Sequence, residues 1–176
     1  MTTDNIPDLE LGKAAEHLVV ADLILSGYRA YLTEQGLPYD VVLDYGQRLY
    51  RVQVKASRGV KRVPQRATYV PGYLYNLRRA GKRGRRVYAD DAFDIVALVG
   101  LDIRVIAYLP FKGLQTVYLR PPGYAGTPQT LRTRSIDQFP IQSVLATLVG
   151  QRPVLAPKRE APRPGPRAQA TLFEIA

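Results

Sequence analysis

The chain has 176 residues, of which 46% are hydrophobic, enough to bury the core of one ordinary domain. Its 25 lysines and arginines exceed its 15 acids and give a formal net charge of +10, which indicates a polyanionic partner, with nucleic acid the leading candidate. The lack of cysteine and the single histidine exclude disulfides, thiolate sites and histidine-cluster metal sites, so a bound metal would have oxygen ligands, as Mg²⁺ and Mn²⁺ prefer. No apolar run is long enough to span a bilayer and no signal-peptide pattern begins the chain, so we expect a cytoplasmic protein without membrane contact.

The first predicted element is a helix from Leu9 to about Ser26. Asp8 is a residue type that caps helix N-termini, and Gly27 can adopt the left-handed conformation that ends a helix. Apolar residues at helical spacing predict the buried stripe of this helix, which comprises Leu11, Ala14, Ala15, Leu18 and Leu25.

Glu16 lies on this helix among apolar neighbours. The residues three, four and seven positions later are Val19, Val20 and Leu23, so its carboxylate does not face open solvent. Two interpretations stay open: a glutamate at the edge of the stripe whose end reaches water, or a carboxylate directed at a metal on the adjacent sheet. His17 is about 100° away around the helix and is expected at the surface.

Residues 28–32 are predicted to form a short strand, and residues 38–57 a hairpin whose turn lies at 45–48. Gly46 can adopt the positive φ that a tight turn needs. The second strand of the hairpin alternates with period two, so its polar residues share one face, Arg51, Gln53 and Lys55, and its apolar residues share the other, Tyr50, Val52 and Val54.

The hairpin gathers charged and amide groups at one edge of a sheet. Asp40 and Asp44 are predicted on its first strand, and the pairing brings Asp40 close to Gln53 and Lys55 of the second. A carboxylate can hold a divalent metal, and an ammonium beside it can stabilise an attacking hydroxide or the charge that develops on a phosphate. The alternative is a half-exposed hairpin whose charges are solvated.

The order of these residues is a glutamate on the first helix, a strand, an aspartate, and then Gln53-Val54-Lys55 on the next strand. This pattern resembles the PD-(D/E)XK nuclease superfamily. The segments GKAAEHLVVADLILSGYRAY and LPYDVVLDYGQRLYRVQVKAS look most like the branch that contains a group I intron homing endonuclease, and the layout is related to that of Holliday junction resolvases. The resemblance covers residues 9–57 well and 92–110 loosely.

The resemblance implies an α/β fold of the restriction-endonuclease type, with a mixed central sheet flanked by helices. It implies a metal-dependent DNA endonuclease in which Glu16, Asp40 and the Val54 carbonyl hold Mg²⁺ or Mn²⁺. Lys55 would position or deprotonate the attacking water, and Gln53 would orient that water or the metal shell. Gln53 stands where the family usually has its third acid, as in the homing-endonuclease branch, and an amide is a weaker metal ligand than a carboxylate.

Residues 58–86 follow the hairpin directly and contain ten basic residues and no acid. Glycines and prolines in this segment argue against one long helix. Tyr69, Tyr73 and Tyr75 are interleaved with the basic residues, and such a mixture suits a phosphate backbone and an unpaired base. The predicted DNA-binding residues are Arg58, Lys61, Arg62, Arg66, Arg78, Arg79, Lys82, Arg83, Arg85 and Arg86. The alternative is a basic loop without a binding role.

Beyond this basic segment, apolar runs at 92–100 and 104–109 predict two strands, and residues 117–119 predict an edge strand. Asp94 is expected to be a buried partner for a basic residue and not a metal ligand. Residues 136–150 carry apolar residues at helical spacing, which predicts a packing helix.

Composition divides the chain into a nuclease-like domain over residues 1–150, a linker over 151–168 rich in proline and basic residues, and a short peptide over 169–176. The peptide contains Q-A-T-L-F, which resembles the motif by which bacterial repair and replication proteins dock onto the sliding clamp. Its predicted contact residues, one polar and two apolar, are Gln169, Leu172 and Phe173. The alternative is a loose tail that packs against its own domain.

These patterns favour a Mg²⁺-dependent DNA endonuclease that its C-terminal peptide tethers to the replication machinery. One alternative is a non-catalytic nucleic-acid-binding module that uses residues 58–86, and another is an interaction protein recruited through its tail. A double-strand cut or a symmetric junction resolution needs two active sites, so we expect a homodimer or homotetramer.

Overall fold

The computed structural model describes residues 5–61, 71–79, 86–124 and 134–150. Its helices are α1 (Asp8–Leu25) and α2 (Ile141–Val149). Its strands, in chain order, are β1 (Arg29–Leu32), β2 (Val41–Tyr45), β3 (Arg48–Ser57), β4 (Tyr73–Asn76), β5 (Arg78–Arg79), β6 (Arg86–Val87), β7 (Ile95–Gly100), β8 (Val105–Pro110) and β9 (Thr116–Leu119).

The predicted linker and C-terminal peptide lie outside the described residues. The proposed contacts of Gln169, Leu172 and Phe173 therefore stay predictions. Within the described ranges, no helix combines the length and the apolar character that crossing a membrane requires.

A five-stranded mixed sheet in the order β1-β2-β3-β7-β8 forms the centre of the fold. Neighbouring strands pair antiparallel except β3 and β7, which run parallel. The β2–β3 hairpin turns at Gly46 and Gln47, whose φ values of 61° and 64° match the twist that joins hairpin strands. Parallel strands need a long crossover, and the connection from β3 to β7 contains the basic segment. The arrangement confirms the predicted mixed α/β fold.

Apolar side chains pack on both faces of this sheet. The core on the helix side includes Ala15, Val19 and Leu23 of α1 with Tyr50, Val52 and Val54 of β3. The opposite face is covered by the antiparallel pair of β4 and β9, and its core is rich in aromatic rings, including Tyr73, Tyr75, Tyr88, Phe93 and Phe111. The predicted alternation of β3 is therefore confirmed, with Gln53 and Lys55 on the side of the aromatic core.

The ends of α1 match the prediction in part. Gly27, with a φ of 90°, follows the helix as expected. Pro7 occupies the N-cap position in place of Asp8, which lies in the first turn and accepts a hydrogen bond from Arg58 at 2.7 Å. An acid in the first turn still interacts favourably with the positive end of the helix dipole.

The buried stripe of α1 differs from the predicted one. Ala14 is exposed and Leu25 is 85% exposed, whereas Val19 and Leu23 are fully buried. Apolar residues lie all around this helix, so spacing alone did not identify the face that the sheet covers.

Two further predictions from the sequence are wrong. The helix predicted over 136–150 is a 3₁₀ turn over Ile136–Gln138 followed by α2, because Pro140 lacks an N–H and precedes a new helix start. Tyr73 and Tyr75 are each 1% exposed in the aromatic core, so they are not rings that can stack on a base. Tyr69 lies outside the described residues.

Candidate active site

The backbone of Asp40 is held on both sides at the edge of the sheet. Asp40 lies immediately before β2, one residue outside the strand in which it was predicted. Its N–H donates to the Val52 carbonyl at 3.0 Å, and its own carbonyl accepts from the Thr33 N–H at 3.0 Å. The Thr33 hydroxyl also donates to the Tyr39 carbonyl at 2.8 Å. These bonds place Asp40 opposite Gln53 of β3.

Two donors of β3 bind the Asp40 carboxylate. Its Oδ2 accepts from the backbone N–H of Val54 at 2.8 Å and from Nε2 of Gln53. The same Nε2 donates to the Val54 carbonyl at 3.1 Å, so the buried Gln53 amide links the two groups. Both bonds end on Oδ2, which leaves Oδ1 of Asp40 without a donor in the described part of the chain and available to a further ligand.

The Val54 carbonyl faces Asp40 and not β7. The N–H and C=O of one strand residue point to the same side, and the Val54 N–H binds the Asp40 carboxylate. The ladder between β2 and β3 ends with the pair Val41 and Val52, so Val54 lies beyond it. The Val54 carbonyl oxygen is therefore on the same edge as the Asp40 carboxylate, the group with which it was predicted to hold a metal.

Glu16 approaches the same edge from α1. Its side chain is 15% exposed, and Oε2 accepts a hydrogen bond from Nζ of Lys13 at 2.7 Å. This hydrogen bond is the main cause that raises the pKa of Lys13, and the charge of Asp40 acts in the same direction. Lys13 was not identified from the sequence, although its position three residues before Glu16 is the spacing of an ion pair on a helix.

Burial is the main cause that raises the pKa of Asp40 above its ordinary value, and the negative charge of Glu16 adds to the rise. The Val54 N–H and the ammonium of Lys55 act against it. Two carboxylates thus lie within electrostatic range of each other at a half-buried edge. A divalent cation there would favour their ionised forms.

Lys55 extends from β3 toward the aromatic core, with its ammonium 5.4 Å from the centroid of the Tyr88 ring. Tyr88 is buried and packs edge-on against Phe93, with the two ring centroids 5.0 Å apart. No motif marked Tyr88 in the sequence. Its position just after the basic segment was the one available signal that it lies near the site.

The donor set suits Mg²⁺ or Mn²⁺, because two carboxylates and a backbone carbonyl are hard oxygen ligands. Among the described residues, no group of three or more His, Cys, Asp and Glu side chains could hold a metal. The residues available to one are Glu16, Asp40 and Val54. Gln53 directs its amide nitrogen to Asp40 and to the Val54 carbonyl, so in this orientation it positions the carboxylate.

Asp94 is the expected partner of a basic residue. Its Oδ2 accepts from the Arg51 backbone N–H at 2.8 Å and from Arg51 Nε at 3.3 Å. The Asp94 N–H returns a bond to the Arg51 carbonyl at 2.9 Å. This pairing fixes the start of β7 beside β3, and it engages both oxygens of the Asp94 carboxylate.

The basic segment is described in part. Arg58 donates to Asp8 and to the Ile6 carbonyl, both at 2.7 Å, and it lines an open cleft of about 490 Å³ together with Lys61. Arg78 donates to Gln115 at 3.0 Å. Two members have a described backbone in the β5–β6 pair, Arg79 and Arg86. The others lie outside the described residues: Arg62, Arg66, Lys82, Arg83 and Arg85.

Comparison with known proteins gives a likeness in fold. No protein-family model and no curated protein matches the chain. Among solved structures, the chain is similar to a bacterial homing endonuclease, I-Ssp6803I, with a TM-score of 0.55 and 19% identical residues over 70% of this chain and 86% of that one. At this identity the likeness shows the fold alone, and it confirms the nuclease-like mixed α/β architecture expected from the sequence.

Proposed function

We propose that this protein is a metal-dependent DNA endonuclease that hydrolyses phosphodiester bonds. The observation that carries the proposal is the meeting of Glu16 and Asp40 at one sheet edge, beside Lys55 and the Val54 carbonyl. The likeness in fold to a homing endonuclease and the net charge of +10 support the same activity.

The residues of this edge have distinct roles in the proposal. Glu16, Asp40 and the Val54 carbonyl would hold Mg²⁺ or Mn²⁺, which when bound supplies a Lewis acid that lowers the pKa of water and neutralises phosphate charge. Gln53 binds Oδ2 of Asp40, so Oδ1 would be left to bind the metal. Lys55 positions the attacking water or accepts its proton.

The basic segment would supply most of the affinity for the DNA backbone. Arg58 and Lys61 line the cleft that follows Lys55 on the chain, so DNA held there passes close to the proposed site. The substrate classes that suit the resemblance are a duplex target of the homing type and a branched structure such as a four-way junction.

Digestion of labelled DNA tests this proposal. Duplex, forked and four-way-junction substrates are incubated with the protein in Mg²⁺ and, as the control, in EDTA. We expect cleavage of at least one substrate in Mg²⁺ alone, and loss of that cleavage in Lys55→Ala. Cutting by Lys55→Ala at the wild-type rate would show that the site assignment is wrong.

The second candidate function is a nucleic-acid-binding module without catalysis. It is favoured by Gln53 at the place of a third acid and by the ion pair that Lys13 already makes with Glu16. Tight binding to all three substrates without cleavage in either Mg²⁺ or Mn²⁺ would support this function over the first.

A tether to the sliding clamp through residues 169–176 is part of the same proposal, and it rests on the sequence. Ordering a free peptide costs a few kcal/mol, and burying Leu172 and Phe173 returns roughly 2–3 kcal/mol each, so we expect affinity in the micromolar range or weaker. Calorimetry of peptide 165–176 against a bacterial clamp is the test. Absence of heat and of competition at millimolar peptide would refute clamp binding by this segment. The control is the peptide with Leu172→Ala and Phe173→Ala, which should not bind.

Self-association of the chain is the last part of the proposed function. A double-strand cut needs two sites, so we expect a dimer or tetramer by light scattering, at least on DNA. A strictly monomeric protein on its substrate would limit the activity to nicking.

A further inference from the structure

We propose that Tyr88 is a positioning residue for Lys55, holding its ammonium over the ring face beside the edge where Glu16 and Asp40 lie. The catalytic consequence rests on the proposed endonuclease function. The contact itself can be tested without any cleavage.

The geometry is that of a cation held by an aromatic face. Nζ of Lys55 lies 5.4 Å from the Tyr88 ring centroid, inside the range of about 6 Å over which such attraction acts. Within the described ranges, Lys55 makes no ion pair shorter than 4.0 Å, whereas Lys13, Arg51 and Arg58 each do. In the described part of the chain, the ring is therefore the close contact that restricts the long Lys55 side chain, whose charge also acts on Asp40.

The Tyr88 ring is itself held by its neighbours. It is 8% exposed, and the edge-on rings of Phe93 and Phe111 lie 5.0 and 6.4 Å away at interplanar angles of 82° and 86°. Phe93 and Phe111 pack against each other at 4.1 Å. A ring fixed in this way presents one face at a constant position, so the ammonium placed over it is preorganised.

The position of Tyr88 in the chain also connects the ring with DNA binding. Tyr88 follows β6 directly, and β6 pairs with β5 in the basic segment. A phosphate backbone bound by that strand pair would lie one residue from the ring that holds Lys55. Because the ring acts on Lys55 and not on the phosphates, its loss is expected to lower the cleavage rate more than it weakens DNA binding.

Ring-current shifts in NMR spectra of protein labelled with ¹³C at the lysine ε-carbon test the contact. Loss of one signal in Lys55→Arg assigns the Lys55 ε-methylene. We expect its upfield shift to disappear in Tyr88→Leu and to persist in Tyr88→Phe, which keeps the aromatic face. Tyr75→Leu is the matched control, because it removes another buried ring of the same core, one that stacks on Tyr73 and, among the described residues, not on Tyr88.

Single-turnover cleavage tests the consequence. We expect the rate of Tyr88→Leu at saturating protein to fall about tenfold, with the protein concentration for half-maximal rate within about twofold of wild type. Tyr88→Phe should recover to within about threefold of the wild-type rate, as the strength of a half-buried cation–π contact predicts. An unchanged Lys55 shift in Tyr88→Leu, or an equal loss of rate in Tyr75→Leu, would overturn the assignment. Wild-type protein that cleaves nothing would refute the proposed function, and the spectra would still decide whether the ring holds Lys55.

Discussion

Gln53→Glu is the change that most directly tests how the candidate site is built. Nε2 of Gln53 donates to Oδ2 of Asp40 and to the Val54 carbonyl, so the amide supplies protons to two acceptors at once. A carboxylate of the same length supplies none and adds a third negative charge beside Asp40 and Glu16. In the absence of metal, three acceptors would then face one another at a buried position.

The size of the effect follows from the two lost hydrogen bonds. A bond to a charged acceptor such as Asp40 contributes about 1.5–3 kcal/mol, and one to a neutral carbonyl such as that of Val54 contributes about 0.5–1.5 kcal/mol. We therefore expect Gln53→Glu to lower the free energy of unfolding by about 2–4.5 kcal/mol at pH 7, before any charge repulsion is counted. That is a large share of the roughly 5–15 kcal/mol that stabilises an ordinary domain.

Urea unfolding followed by circular dichroism measures this change in EDTA and in Mg²⁺. A divalent cation offsets the added charge, so Mg²⁺ should stabilise Gln53→Glu more than it stabilises wild type. A hundredfold excess of Mg²⁺ over the Kd of the variant would stabilise that variant by about 2.7 kcal/mol. Gln53→Met is the matched control, because it loses both donors without adding charge. The penalty in Gln53→Glu should also shrink as the pH falls, since a protonated carboxyl donates a hydrogen bond as the amide does.

Two results would refute this reasoning. One is a wild-type urea midpoint for Gln53→Glu in EDTA, which would mean that the amide bonds contribute nothing. The other is an equal response of Gln53→Glu and Gln53→Met to Mg²⁺, which would mean that position 53 does not face a cation site.

Asp40→Asn should abolish Mg²⁺-dependent cleavage without weakening DNA binding measured by fluorescence anisotropy. Burial raises the pKa of Asp40, so ionisation of this carboxyl destabilises the fold as the pH rises through that pKa. The urea midpoint of Asp40→Asn should therefore exceed that of wild type at pH 7 and approach it at pH 4. A difference that is the same at both pH values would contradict this. Glu16→Gln should raise the Mg²⁺ concentration for half-maximal cleavage about tenfold, and an unchanged titration would exclude Glu16 from the site. Replacing the six basic residues at 78–86 with glutamine should reduce the slope of log K against log salt by about 5, and an unaltered slope would place the DNA footprint elsewhere.

The hairpin could be predicted because its information is local. Strict alternation along β3 and a tight turn at Gly46 determine which residues face each other, so Asp40 and Gln53 are opposite by register alone. The same register determines that the Val54 carbonyl points to the side of β3 on which Asp40 lies. The structure adds that Oδ2 of Asp40 is the oxygen that accepts hydrogen bonds, and that the amide nitrogen of Gln53 is the donor.

The aromatic core could not be predicted, because its contacts join distant segments. β4 pairs with β9, which brings Asn76 beside Thr116, and no local pattern encodes that pairing. Tyr73 and Tyr75 stand among arginines in the sequence, which favoured a surface role, yet this pairing buries both. Tyr88 could not be identified for the same reason, since its ring contacts Lys55, which lies more than thirty positions earlier in the chain.

The charges around the candidate site balance one another. Glu16 and Asp40 contribute two negative charges, and Lys13 and Lys55 contribute two positive ones near them, so the group has no net charge. A third acid at position 53 would leave an excess negative charge that only a cation could neutralise. The glutamine instead satisfies Asp40 by hydrogen bonding and adds no charge. In the proposed endonuclease, a metal would compete with Lys13 for Glu16, so we expect it to bind weakly and to exchange.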